Sequence, residues 1–404
     1  MSGSTNPPTA STPHDSLERV ARPAVVLPHA ADGLSLIKPS VRGLPGYTLA
    51  ALPAVRKLNQ NESPFDFPPE LKREVLEAAA DKAWQRYPDF APADVLALLA
   101  EHFGWLPDGV LVGNGSNELI GSILSVTLRP GDALVAPSPT FSLYRLLTGV
   151  FGGRYVPVSL DEHFAFDVDG LIATAQDNGA RVIVINSPNN PTGSALPEGA
   201  IERILSETGA LVVCDEAYQD FGGPSALPLL SRSSRLVVLR TFSKAWGLAG
   251  LRLGLALAHP AVAREIGKGK LPYNVNVITL AAARTALRHA PVLATRTRQL
   301  IETRDRFIER LRLVPGLIVY PTAANFVLIR TSRVPAKELF HRLRDGYGIL
   351  VRDVSDSAQL AECLRISIGT PDDMDAVIDA LEQVLGELPG DSAADKRGQT
   401  RMQP

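Results

Sequence analysis

Between about residue 109 and residue 240 the chain alternates short apolar runs with longer stretches of helical periodicity: VLVG then NELIGSILSVTL, ALVA then TFSLYRLLTGVF, YVPVSL then DVDGLIATAQ, VIVI then AIERILSE, and then LVVCD. The runs Val182–Ile185, Leu211–Val213 and Leu236–Leu239 lack polar alternation, as strands covered by helices on both faces do. This rhythm predicts an α/β domain on a mainly parallel sheet. Beyond Pro260 the pattern changes to helical segments at Thr279–Ala290 and Leu293–Leu313, followed by strands near Leu317–Tyr320, Phe326–Ile329 and Leu364–Ile368. A second, smaller α+β domain is expected there. Residues 36–70 hold four prolines from Pro39 to Pro64 and little periodicity, which reads as an extended arm. Both ends are rich in small and polar residues and cannot offset their ordering entropy. The resulting division is a disordered tail over 1–35, an arm joining the small domain over 36–70, a large domain over 71–289, a small domain over 290–388 and a second disordered tail over 389–404.

Composition narrows the function classes. Of 404 residues, 45% are hydrophobic and 21% charged, enough apolar material for a large core. With 41 basic against 43 acidic side chains, no electrostatic footprint for nucleic acid is present. No apolar run reaches the roughly 18 residues that span a bilayer. The two cysteines, Cys214 and Cys363, have no CxxC spacing, so a reducing, cytoplasmic setting is expected without disulfides. None of the seven histidines has metal-ligand spacing, so no metal centre is expected.

In open α/β sheets ligands bind beyond the carboxyl ends of the strands. After VLV comes Gly113-Asn114-Gly115-Ser116-Asn117-Glu118, which is neither GxGxxG nor a Walker motif. An anion cradle at a helix N-terminus and an ordinary turn capped by Ser116 fit it equally. After VIVI comes Asn186-Ser187-Pro188-Asn189-Asn190-Pro191-Thr192-Gly193, a loop stiffened by prolines. After LVV comes Cys214-Asp215-Glu216-Ala217-Tyr218. A carboxylate at the end of a buried strand needs a cation, and a salt bridge to some arginine would serve as well as a ligand. After LVVL, Lys244 lies in Arg240–Arg252, a segment made mostly of small and apolar residues. Desolvation there would lower its pKa and make it a nucleophile and base. One strand edge thus presents an anion cradle, amide donors, a carboxylate, a phenol, a lysine and an arginine, all of which pyridoxal phosphate can use.

With these residues the sequence resembles the fold-type I aminotransferases of class I/II, and within them the histidinol-phosphate branch, from about Arg42 to Leu388. The resemblance implies a large domain with a mainly parallel seven-stranded sheet, a smaller α+β domain, pyridoxal 5′-phosphate as cofactor and ping-pong transamination between an amino donor and a 2-oxo acid. TFSKAWGLAGLRLG matches the family's lysine motif and implies Lys244 as the Schiff-base lysine, with Thr241, Ser243 and Arg252 beside the cofactor phosphate. DEAY implies Asp215 on the pyridine nitrogen and Tyr218 on the ring 3′-oxygen, which SPNNPTG implies Asn190 shares. PSPTFSLY implies Phe141 stacked on the ring, and the cradle is carried by Gly115, Ser116, Asn117 and Glu118, where the family usually reads GSDE. Arg86-Tyr87-Pro88-Asp89 matches the family's RYPD and implies a homodimer in which Tyr87 reaches the phosphate of the neighbouring subunit. VRGLPGY with Tyr47, KLNQNESP and KLPYNVN point to the histidinol-phosphate branch. Arg352 and Arg365 are implied as an anion clamp for substrate phosphate or carboxylate, with Asn190 and Tyr47 also on the substrate side. Aromatic or broad-specificity aminotransferases and amino-acid-phosphate decarboxylases share the ring chemistry and remain open, as does a non-catalytic protein that kept the fold.

Overall fold

The computed structural model describes residues 31–46 and 52–386. They belong to two units, one ending at Gly43 and one beginning at Leu44. In the first, Ala31–Ser35 and Pro39–Arg42 are short helices; composition alone assigns Ala31–Ser35 to the tail. The rest of that tail, Tyr47 and the stretch beyond Gly386 lie outside the described residues.

The second unit is organised around a seven-stranded sheet whose strands are β1 (Val110–Asn114), β2 (Ala133–Ser138), β3 (Arg154–Ser159), β4 (Val182–Asn186), β5 (Leu211–Asp215), β6 (Leu236–Thr241) and β7 (Leu253–Ala258). Their order is β1-β7-β6-β5-β4-β2-β3. Every residue of β4 and β6 is buried, because helices cover both faces. Helices Leu143–Val150, Val168–Asp177 and Ala200–Glu207 make the crossovers that parallel neighbours require. β7 alone runs antiparallel to both its neighbours.

This topology sets the address of the chemistry. The parallel strands end together at Ser138, Asn186, Asp215 and Thr241, and the register Asn114↔Leu253 and Thr241↔Gly254 brings the end of β1 and the start of β7 to the same edge. The loop from β6 to β7 therefore leaves and re-enters the sheet at that edge, carrying Lys244 and Arg252.

A four-stranded antiparallel sheet, β8 (Leu317–Val319), β9 (Phe326–Thr331), β10 (Arg352–Asp353) and β11 (Cys363–Ser367), has the order β10-β11-β9-β8. Helices Ala290–Leu311, Ala336–Tyr347 and Pro371–Gly386 pack with it around Phe307, Phe326, Leu339 and Leu381. Arg56–Lys57 pairs in parallel with Ile349–Leu350. Ser367 then donates its N–H to the Leu58 carbonyl at 2.9 Å, so residues 56–61 are laid along this smaller layer.

β7 meets the cradle through a glycine. A Cβ added at Gly254 would lie 2.1 Å from the Ser116 nitrogen and 2.3 Å from the Gly115 carbonyl carbon. Both are backbone atoms that cannot swing aside. Gly254→Ala is expected to cost about 1–3 kcal/mol, seen as a lower denaturation midpoint.

Candidate active site

A cavity of about 900 Å³ opens at the shared strand edge. The large sheet contributes Ser116, Asn117, Phe141, Asn186, Asn190, Asp215, Tyr218, Thr241, Ser243, Lys244 and Arg252. The smaller layer contributes Arg352 and Arg365, and the segment before the first long helix contributes Asn59, Gln60 and Asn61.

Two consecutive carboxylates at the end of β5 meet opposite fates, because successive side chains along an extended chain point to opposite sides. Glu216 turns away from the cavity and is paired with Arg240 of β6 at 2.9 Å, with both side chains almost wholly buried. Asp215 turns into the cavity, where no cationic side chain among the described residues pairs with it. Its contacts are the Tyr144 hydroxyl, donating at 2.6 Å, and the Ala217 N–H, donating at 3.2 Å. Burial pushes its pKa up, and these two donors only partly oppose the push. The local arginine is used by the neighbour, so the salt-bridge reading of Asp215 does not hold within the described residues.

Lys244 is the opposite case. Its ammonium donates to the Gln60 carbonyl at 2.9 Å and forms no ion pair with a described carboxylate. Desolvation lowers its pKa to about 7, and the nearby guanidinium groups of Arg365 and Arg252 act in the same direction. A large part of this amine is therefore neutral near pH 7. Tyr218 is buried, its hydroxyl accepting from Asn61 Nδ2 at 3.1 Å.

Arg252 is held with φ of 57° and donates to the Ser243 hydroxyl and the Ala249 carbonyl, both at 3.2 Å. A Cβ at Gly115 would come within 2.3 Å of its guanidinium, so the glycine is what admits the arginine to the helix N-terminus. Arg365 donates to Asn190 Oδ1 and, at 2.8 Å, to the Asn59 carbonyl. It faces Arg352 directly across the β10–β11 ladder.

Three residues expected around the cofactor do not line this cavity. Glu118 is not a cavity residue: its carboxylate accepts from the Asn114 N–H and, at 2.8 Å, from Asn274 Nδ2, tying β1 to the KLPYNVN segment. Its helix turns it outward, and the bonds with Asn114 and Asn274 hold it there. Gly115 borders Arg252 and does not line the cavity. Tyr87 is 81% exposed and stacks on Tyr273 with ring centroids 4.7 Å apart, away from the residues lining this cavity. Tyr47 lies outside the described residues. Sequence reasoning passed over Tyr144, three residues beyond Phe141 in the same motif, and Gln60 and Asn61, which lie inside KLNQNESP. Their hydrogen bonds to Asp215, Lys244 and Tyr218 span between 71 and 184 residues of chain, a distance no local pattern encodes.

The model of aminotransferase class I and II matches residues 53–381, and the chain belongs to that family, on the fold-type I architecture described above. Among its relatives, histidinol-phosphate aminotransferase of Prosthecochloris aestuarii is 36% identical over 359 residues, covering 88% of this chain and 100% of that protein. The histidinol-phosphate aminotransferase of Chlorobium phaeovibrioides is 38% identical, with 88% and 99% covered. The crystal structure of histidinol-phosphate aminotransferase from Sinorhizobium meliloti in complex with pyridoxal-5′-phosphate is similar with a TM-score of 0.79 and 27% identity, covering 87% of this chain and 98% of that one.

The residues present fit pyridoxal phosphate. A buried carboxylate without a cation suits a protonated ring nitrogen. An amine that is about half neutral near pH 7 suits an aldehyde. Arg252, Ser243 and the N–H groups at the start of helix Ser116–Thr127 suit a phosphate. No helix among the described residues is long and apolar enough to cross a membrane.

The lysine's lowered pKa has a measurable consequence. In cofactor-free protein the rate at which an amine-directed acylating reagent labels Lys244 should rise with pH through a midpoint near 7, since deprotonation exposes the lone pair. Labelling with a midpoint near the ordinary lysine value of 10.5 would contradict the desolvated site.

Proposed function

We propose that this chain is a pyridoxal phosphate-dependent aminotransferase that moves an amino group from histidinol phosphate to 2-oxoglutarate, working as a homodimer in the cytoplasm. The observation that carries the reading is the pairing, in one cavity, of a buried carboxylate lacking a cation with a half-buried, desolvated amine that forms no ion pair with a described carboxylate. The donor is supported by the names of the relatives above and by Gln60 and Asn61 of KLNQNESP, which meet Lys244 and Tyr218.

When bound, pyridoxal phosphate supplies an aldehyde that joins a substrate amine and an electron-poor ring that accepts the electron pair released at the adjacent carbon. Asp215 holds a proton at the ring nitrogen; an ion pair at about 4 Å is worth about 4 kcal/mol at an effective dielectric near 20. Tyr144 and the Ala217 N–H keep the carboxylate aimed. Lys244 would hold the aldehyde until the substrate amine displaces it, and its freed Nζ would then be placed to carry the proton from the substrate carbon that bears the amine to the carbon on the other side of the shared nitrogen. Tyr218 and Asn190 would donate to the ring's 3′-oxygen, and Phe141 would cover the ring. Thr241, whose hydroxyl accepts from the Ser243 N–H at 3.1 Å, orders the turn that leads to Lys244. Arg252 with Ser116, Asn117 and Ser243 grips the phosphate and limits drift of the ring. Arg365 and Arg352 would orient the anionic ends of the two substrates, and the resemblance to the family assigns Tyr47, outside the described residues, to the same role.

The homodimer is supported by an exposed aromatic surface. Trp84, Tyr87 and Phe90 are 68%, 81% and 63% exposed, and both Tyr87 and Phe90 pack on Tyr273. Exposed apolar patches of this kind mark interaction sites. From there Tyr87 would reach the phosphate site of the partner.

Lys244→Ala is expected to lower single-turnover rates by at least roughly 10²–10⁴-fold, the range of proton-transfer catalysis. Parallel single turnovers with histidinol phosphate, phenylalanine, glutamate and threonine phosphate test the donor, and failure of histidinol phosphate alone would refute it. Sharing of the site is tested by refolding Lys244→Ala with Tyr87→Ala at limiting cofactor. Mixed dimers then hold one complete site, so activity should exceed that of either variant; no gain would argue for self-contained subunits.

A further inference from the structure

Arg352 and Arg365 oppose each other across adjacent strands, which sets their side chains on one face about 5 Å apart at the Cβ atoms. Like charges so placed repel. No described carboxylate relieves Arg352: the adjacent Asp353 is turned to Ser355, accepting from its N–H at 2.9 Å and its hydroxyl at 2.7 Å. Arg365 is engaged inward by Asn190 and Asn59. An anion entering the cavity would thus find two of Arg365's N–H groups already committed.

Two further side chains on the cavity wall change the count of donors. Arg145, on helix Leu143–Val150, is solvent-exposed, lines the cavity and pairs with no described carboxylate. Tyr155 of β3 lines it too, and its hydroxyl makes no hydrogen bond to a described residue. Burial pushes the Tyr155 pKa up to about 12, with the nearby Arg145 guanidinium opposing the shift. The phenol therefore remains a hydrogen-bond donor at any ordinary pH. Arg145, Tyr155 and Arg352 line the same space without a protein acceptor among the described residues.

We propose that Arg145 and Tyr155, with Arg352, form an outer anion subsite that binds the phosphate ester of the amino donor and sets preference for phosphorylated donors over their dephosphorylated counterparts. The proposal rests on the aminotransferase reading given above. Two guanidinium forks and a phenol match a group with three terminal oxygens and a charge near −2 better than they match a carboxylate. Arg145 is then a specificity-determining residue, separate from the Lys244–Asp215 chemistry.

The test compares kcat/KM for histidinol phosphate and for histidinol in the wild-type holoenzyme and in Arg145→Gln, Arg145→Lys and Tyr155→Phe. In Arg145→Gln the ratio of the two should fall roughly 10- to 100-fold, mainly through KM, as expected for losing charge-assisted bonds to a phosphate. Arg145→Lys should recover part of the loss, and Tyr155→Phe should show a smaller fall of the same kind. A ratio within twofold of wild type in Arg145→Gln, or a loss shared equally by both donors, would overturn the proposal. Wild-type enzyme that uses another donor but not histidinol phosphate would instead refute the donor assignment. The subsite is then judged by competitive inhibition by inorganic phosphate, weakened at least tenfold in Arg145→Gln if it stands and unaltered if it does not.

Discussion

A carboxylate buried at the end of a strand, with Arg240 of the adjacent strand committed to its neighbour Glu216, is the constraint around which the site is built. Glu216 takes Arg240 as its partner, and Asp215 is left with a phenol and one N–H group. Ionising a buried carboxyl is costly without a cation, which is why burial raises the Asp215 pKa. A ligand that brings a positive nitrogen to this position repays that cost, so binding and activation of the ring draw on the same interaction. Tyr144 is itself fully buried, and its hydroxyl fixes where the carboxylate points before any ligand arrives.

The rest of the cavity has the reverse polarity. Lys244 is desolvated and lies in the field of Arg365 and Arg252, and together these bring its pKa down to about 7, so that much of the amine is neutral at pH 7. The floor lacks cations and the walls have an excess of them. A molecule with a cationic nitrogen and an anionic phosphate is complementary to such a division, whereas a uniformly charged ligand would be repelled at one end. The antiparallel return of β7 makes this possible, because it delivers Arg252 to the strand edge within a dozen residues of β6.

Much of this was legible in the sequence, for a physical reason. Buried parallel strands cannot alternate polarity, so VIVI, LVV and LVVL betray themselves, and the topology rule puts the chemistry just past their ends. β7 was not legible as an antiparallel strand, since its apolar run carries no mark of direction. That Glu118 bonds Asn114 and Asn274 was not legible, because a helix N-terminus does not specify which side chain faces the cavity and which ties a neighbouring loop. Tyr144 and Gln60 escaped because their roles exist only after strands distant in sequence are brought together. Tyr87 carries no cavity contact within its own chain, and its assignment depends on a second subunit.

Reaction and selection draw on different stretches of the cavity wall, and the smaller layer joins the large one only in the second. Asp215, Lys244 and Arg252 belong to the edge of the large sheet, so they act on the part of the molecule that every donor shares. Selection requires contacts that differ between donors in the transition state, and those are available where Arg352 of the smaller sheet lines the same cavity as Arg145 and Tyr155. Arg365 belongs to both ends: it donates to Asn190 and its charge also depresses the pKa of Lys244. An anion that partly neutralises Arg365 would weaken that depression and let the amine hold a proton more readily. Occupation of the substrate end and basicity at the reacting end are thereby linked through one guanidinium.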